Sequence, residues 1–145
     1  MAKKILLPID GSDASMAAAS MAIEFAQCQG AEVFGLVVID PYLYTAVGQA
    51  STLGQQAHSQ EAPAWAEQHL GVLRSLCDTL KLPFHSATVE NKSVVKGIFE
   101  AQQSLGCDLI AMGSHGRGGV SALVLGSVAQ KVLAQSPVPV MLLKA

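Results

Sequence analysis

The sequence predicts an α/β fold, a doubly wound and mostly parallel sheet with helices on both faces. Short, almost wholly apolar runs of strand length alternate with longer stretches whose apolar residues recur at helical spacing. Strand–helix–strand units of that kind close through right-handed crossovers into a parallel sheet covered on both sides. The length of 145 residues is that of one domain with one sizeable core, so residues 1–145 are read as a single domain.

Ile5, Leu6, Leu7 and Ile9 form the first run, ending in the turn signal Asp10-Gly11-Ser12; continuous apolarity marks a strand buried on both faces. Ala14, Ala18, Met21, Ala22 and Phe25 then recur at helical spacing until Gly30, and Ser12 or Asp13 can cap that helix. Val33–Ile39 has no polar side chain and is closed by Asp40 and Pro41, which predicts a second central strand. From Pro41 to Gln60 no period is sustained, a long connection for a compact domain, and it is read as a mobile flap.

Ala62, Ala66, His69, Leu70, Leu73, Leu76, Cys77 and Leu80 restore a helical stripe, closed by Leu82-Pro83. The mixed segment Phe84–Val89 predicts a half-exposed edge strand. Val94, Ile98, Ala101 and Leu105 give a third helix stopped by Gly106, and Leu109–Met112 a fourth buried strand. A fourth helix is expected at about Ser127–Gln135. The last run, Val138–Leu143, contains Pro139, which has no N–H to donate and so belongs at a sheet edge. No internal repeat is present. In open sheets of this kind the ligand crevice lies beyond the carboxyl ends of the strands where the strand order reverses, here the loops after the first and fourth strands.

Composition narrows the function. Half the residues are hydrophobic, 14% are charged, and the net charge is −2. Without an excess of cations, nucleic acid is not expected as a partner. No run approaches the roughly 18 apolar residues of a membrane span, and the apolar stretch after Lys3 and Lys4 meets Asp10 too soon for a secretion signal. Cys28, Cys77 and Cys107 are far apart and form no metal-spaced pair; they read as buried small hydrophobes in a reducing compartment, the cytoplasm.

The chemistry concentrates after the fourth strand. Gly113-Ser114-His115-Gly116-Arg117-Gly118-Gly119 holds four glycines in seven residues, and nine residues separate Gly116 from Gly126-Ser127 at a helix start. Glycine lets main-chain N–H groups approach a ligand without Cβ interference, and a helix N-terminus adds unpaired N–H groups and partial positive charge, so the pattern predicts an anion cradle. One helix N-terminus contributes about 0.3 to 2 kcal/mol to an anion, whereas micromolar binding needs about 8 kcal/mol. Loop amides, Arg117 and an apolar slot for a base must therefore act together. Arg117 can fork onto phosphate oxygens or stand as a solvated loop cation. Asp10 reads equally as a ligand contact or as a turn residue. His115 lines the site without a second histidine or carboxylate at metal or catalytic spacing. Trp65 is explained by helix packing, and His58, His69 and His85 are too scattered to carry chemistry.

Gly113-x-x-Gly116-x9-Gly126-Ser127 resembles the nucleotide-binding signature of the ATP-binding universal stress proteins. The resemblance extends to Ile5-Leu6-Leu7-Pro8-Ile9-Asp10-Gly11-Ser12, Val37-Val38-Ile39-Asp40, Met112–Gly116 and Pro137-Val138-Pro139-Val140, nearly the whole chain. It implies a Rossmann-like five-stranded sheet of order 3-2-1-4-5 and a homodimer through strand 138–143, whose exposed apolar edge needs a cover in any case. It further implies that Asp10 and the Val38 backbone lie at the adenine or ribose, with Gly113, Gly116, Arg117, Gly126, Ser127 and Val128 around the phosphates; Pro8, Ser114, His115, Gly118 and Gly119 are counted with them as nucleotide-binding candidates.

The expected function is therefore that of a non-enzymatic stress-response protein binding ATP, ADP or AMP, with or without Mg²⁺, and read by protein partners that the sequence does not identify. A nucleotide-hydrolysing or nucleotidyl-transferring enzyme is one alternative. Against it, Asp10–Ser15 resembles a pyrophosphate loop only loosely, and neither His-x-Gly-His nor GxxxxGK[ST] is present. The other is an interaction module with a vestigial nucleotide site and 41–60 as its contact surface.

Overall fold

Strand β1 (Lys4–Pro8) is followed by helix α1 (Asp13–Gln29), β2 (Glu32–Ile39), α2 (Ala64–Thr79), β3 (Phe84–Glu90), α3 (Val94–Leu105), β4 (Leu109–Gly113), α4 (Ser127–Gln135) and β5 (Val140–Leu143). The computed structural model describes residues 2–41, 63–115 and 125–144. The expected flap lies, but for Pro41, outside the described residues, as does Ala62 of the expected second helix.

The five strands form one all-parallel sheet in the order β3-β2-β1-β4-β5, the expected order. Side chains of a strand alternate between faces, and the core divides accordingly. Ile5 and Leu7 of β1 join Val33 and Val37 of β2 against α1 and α2, while Leu6 joins Phe34 and Leu36 against α3 and α4. Burial on both faces is why β1 and β2 read as unbroken apolar runs. The edge strands differ: β3 has no fully buried residue, and β5 is half-buried throughout. Strand β5 begins at Val140 rather than Val138, because Ser136 Oγ turns back onto the Val138 N–H and carbonyl.

Local signals set the helix limits. Ser12 and Ser93 cap α1 and α3 by accepting from Ser15 N and Lys96 N, and Gly30 and Gly106 end them in left-handed conformation at φ 64° and 69°. The buried face of α1 is Ser15, Ala18, Ala19, Ala22, Ile23 and Ala26, rotated from the expected stripe, so Met21 is exposed. Two residues past Ala26 is about 200° around the helix, which puts Cys28 on the solvent side. The expectation of three buried cysteines is corrected at that position: Cys28 is exposed, and only Cys77 and Cys107 are buried.

Burial, reinforced at Cys77 by Asp78, pushes both buried thiols up to about 11. A thiol held protonated by the fold contributes stability that is intact below the unfolded value near 9 and is lost as pH rises from there through about 11. The unfolding free energy is expected to fall above pH 9 by at most about 1.4 kcal/mol per pH unit for each buried thiol. Urea titrations of the wild type and a Cys77→Ala, Cys107→Ala double variant test this: the variant should lose that part of the slope. At pH 8 a thiol reagent should modify Cys28 quickly and the other two only on unfolding.

Candidate functional site

Because every strand is parallel, the carboxyl ends of β1, β2 and β4 lie along one edge of the sheet. Strand order reverses there: β2 lies on one side of β1 and β4 on the other. The chain leaving β1 turns at Gly11, whose φ of 83° favours glycine, and enters α1 at once. Asp10 Oδ1 accepts from Ser12 N at 2.9 Å, Asp10 N donates to Ser15 Oγ at 3.1 Å, and Ser15 N donates to Ser12 Oγ at 3.1 Å. Asp10 therefore does act as a turn residue, held at the mouth of β1 by two hydrogen bonds of its own and by a third that ties its partners Ser12 and Ser15 together.

The end of β4 is equally determined. Ser114 N donates to Leu143 O at 3.0 Å, and Ser114 O accepts from Gly126 N at 2.8 Å, so one residue ties β4 to β5 and to the start of α4. A Cβ on Gly113 would lie 3.3 Å from the Ala18 Cβ and 3.3 Å from the His115 carbonyl. Glycine is thus what lets β4 end directly against the first turns of α1.

Gly126 is the N-cap of α4, and among the described residues no side chain caps that helix, in contrast to Ser12 on α1 and Ser93 on α3. The first amides of a helix have no intrahelical acceptor, so Ser127 and Val128 bring N–H groups with no intrahelical partner, and a partial positive charge, to this edge. His115 adds an orphan. Its Nδ1 lies 2.9 Å from Ser114 Oγ, while Nε2 is sealed from solvent with no partner among the described residues. A buried polar atom left so is costly, and a phosphate oxygen is an acceptor that would satisfy it as Nε2–H. The donor set, all N–H and hydroxyl, fits an anion.

The expected site residues therefore divide. Pro8, Asp10, Gly113, Ser114, His115, Gly126, Ser127 and Val128 are gathered around the ends of β1 and β4. Val38 sits near the end of β2, two positions past the Leu36 that pairs with Pro8. Gly116, Arg117, Gly118 and Gly119 lie outside the described residues.

The family model for the universal stress protein family matches residues 1–144. The chain belongs to that family. It is 34% identical over 147 residues to a universal stress protein of Thermus aquaticus, covering 99% of this chain and 100% of that one. It is 30% identical over 142 residues to universal stress protein MJ0531 of Methanocaldococcus jannaschii, at 98% and 82% coverage. Among solved structures, that of protein MJ0577 superimposes with a TM-score of 0.79 at 25% identity, over 99% of this universal stress protein and 96% of the other. A universal stress protein in complex with cAMP gives 0.71 at 18% identity, with 99% and 97% covered. One from Archaeoglobus fulgidus in complex with dAMP gives 0.66 at 17% identity, with 98% of each chain covered. At 17 and 18% identity the likeness is one of fold.

Sequence reasoning passed over three contributors. Ser15 is buried because its hydroxyl holds the Asp10 amide. Ala18 is small where Gly113 meets α1. Gly97 of α3 faces Val38, whose methyls a Cβ there would approach to 2.7 and 3.0 Å. The serine stands three residues past the Asp10-Gly11-Ser12 turn, where only its position relative to the cap Ser12 could have signalled it; the other two needed the helix orientations.

Proposed function

We propose that this universal stress protein binds an adenine nucleotide, ATP or its shorter relatives ADP and AMP, at the ends of β1 and β4. It is a single-domain, non-catalytic regulatory protein of the cytoplasm whose occupancy other proteins read under stress. The observation that carries the reading is the start of α4, which no side chain caps among the described residues, tied through Gly126 N and Ser114 O to the strand where sheet order reverses. Asp10 and the Val38 backbone take the adenosine side. The phosphates take the amides of Gly113–Gly119 and Gly126–Val128, with Arg117 forked onto their oxygens. The cAMP and dAMP complexes of the fold's relatives support an adenine nucleotide as the class. Among the described residues no group of three His, Cys, Asp or Glu could hold a metal, so Mg²⁺ would enter with ATP on its phosphates.

Titration calorimetry of the purified protein tests the reading. AMP, and ATP with Mg²⁺, should bind in the micromolar range, about −8 kcal/mol. The absence of binding heat at millimolar nucleotide sinks it.

The second part of the reading is a homodimer through 138–143. Among the described residues β5 pairs with β4 alone, and Leu142 belongs to neither core cluster. An apolar edge of that kind is normally covered, and a second copy is the cover proposed here. Sedimentation should report twice the 15.1 kDa chain mass for the wild type and a single chain for Leu142→Lys, whose ammonium would be stranded in the interface. A wild type that sediments as one chain overturns it.

A further inference from the structure

Proline is rare inside a sheet because it withholds a ladder hydrogen bond, yet Pro8 occupies the last position of the central strand. Alternate N–H groups of a strand point to opposite neighbours. Ile9 N donates to Leu36 O of β2 at 2.8 Å, so the nitrogen of residue 8 faces the other neighbour, β4. The paired positions of β1 and β4 are Ile5 with Leu109 and Leu6 with Ile110, and there the ladder stops. Both strands continue past that point. β1 stays paired with β2 as far as Pro8 and Leu36, and β4 stays paired with β5 as far as Gly113 and Leu143. The missing rung is the one that would run from the nitrogen of residue 8 to the Ala111 carbonyl, and at residue 8 a ring carbon stands in place of the hydrogen.

We propose that Pro8 is a positioning residue that ends the β1–β4 ladder one rung early and so keeps the mouth between the two strands open for an adenine nucleotide. The inference rests on the nucleotide reading of the site. It explains why the interruption falls on one side of β1 only, and on the side where sheet order reverses and ligands enter. Restoring an N–H at residue 8 should let β1 and β4 zip by one more rung, narrowing the crevice while adding a hydrogen bond to the fold.

The test is Pro8→Val, with Pro8→Ala as a second variant free of β-branching. Amide hydrogen exchange by NMR, read without nucleotide, should show the new residue 8 amide protected to the level of the Leu6 amide. AMP affinity should fall fivefold or more, while the melting temperature stays at or above that of the wild type. Weaker binding in a protein no less stable is the pairing that a merely structural proline would not give. A freely exchanging residue 8 amide overturns the proposal, as does a protected one with AMP affinity within twofold of wild type, or an affinity loss that tracks a lower melting temperature. Failure of the underlying reading looks different: the wild type itself shows no AMP binding, and both fall together.

Discussion

Gly126→Asp should make the protein more stable and all but abolish nucleotide binding. Gly126 is the N-cap of α4 at φ −59° and ψ 150°, a backbone conformation that any L-residue adopts, so the substitution introduces no strain. An aspartate N-cap is better than glycine by a few tenths of a kcal/mol, and its charge at the positive end of the helix adds about 0.3–1 kcal/mol. The melting temperature should therefore rise by roughly 2–4 °C. The same carboxylate would stand in the proposed phosphate position. Two like charges about 4 Å apart repel by about 4 kcal/mol at the effective dielectric of a protein surface, so even after screening AMP should bind about a hundredfold more weakly. Gly126→Asn separates charge from shape. It caps as well as aspartate, should gain the smaller part of the stability, and should lose much less affinity. Calorimetry with AMP and thermal melts of the three proteins decide the matter. An aspartate variant that binds AMP like the wild type would show that no phosphate meets α4.

Opposed signs of that kind bear on how much of the molecule its sequence discloses. The edge strands were readable because each carries a local liability: β3 mixes Ser86 and Thr88 with Ala87 and Val89, and β5 is preceded by Pro139. The central strands were readable because burial on both faces removes every polar residue from Val33 to Ile39. Helix α1 was read less well. Alanine and methionine occur all around it, so no narrow stripe marks the buried face, and Ser15 and Ile23 went inside while Met21 stayed out. Strand order came from resemblance to universal stress proteins, since periodicity tells which face a residue occupies but not which strand lies next to it.

At the site, the glycine spacing 113, 116 and 126 and the turn at Asp10-Gly11-Ser12 were visible in the letters alone. What joins them was not. The Gly126 N to Ser114 O hydrogen bond, the seat of Gly113 on Ala18, and the side of β1 toward which Pro8 withholds its N–H all depend on register and helix placement. Chemistry was legible residue by residue, while convergence is a property of the packing.

Leu6→Ala tests whether that packing and the site are one cooperative unit. Leu6 is fully buried at the centre of the sheet, packed with Phe34, Leu36, Ile98 and Ile110 on the α3 and α4 face, and paired to Ile110 at the last rung before the ladder stops. Truncating such a leucine removes transfer free energy and leaves a cavity that strands bonded on both sides cannot collapse around, a loss of about 2–5 kcal/mol. Since single domains have only about 5–15 kcal/mol in total, the variant should fold, with a melting temperature lower by roughly 6–15 °C. Its urea midpoint should drop with an unchanged slope if the transition remains two-state. Nucleotide at a hundred times its dissociation constant should restore about 2.7 kcal/mol, all of the loss at the lower end of that range and about half of it at the upper end. Recovery of the melting temperature with AMP but not with inorganic phosphate at the same concentration would tie the core of the sheet to a complete nucleotide site. A variant that melts early and ignores AMP, although the wild type binds it, would show that the crevice has lost its shape when the strands beneath it loosen.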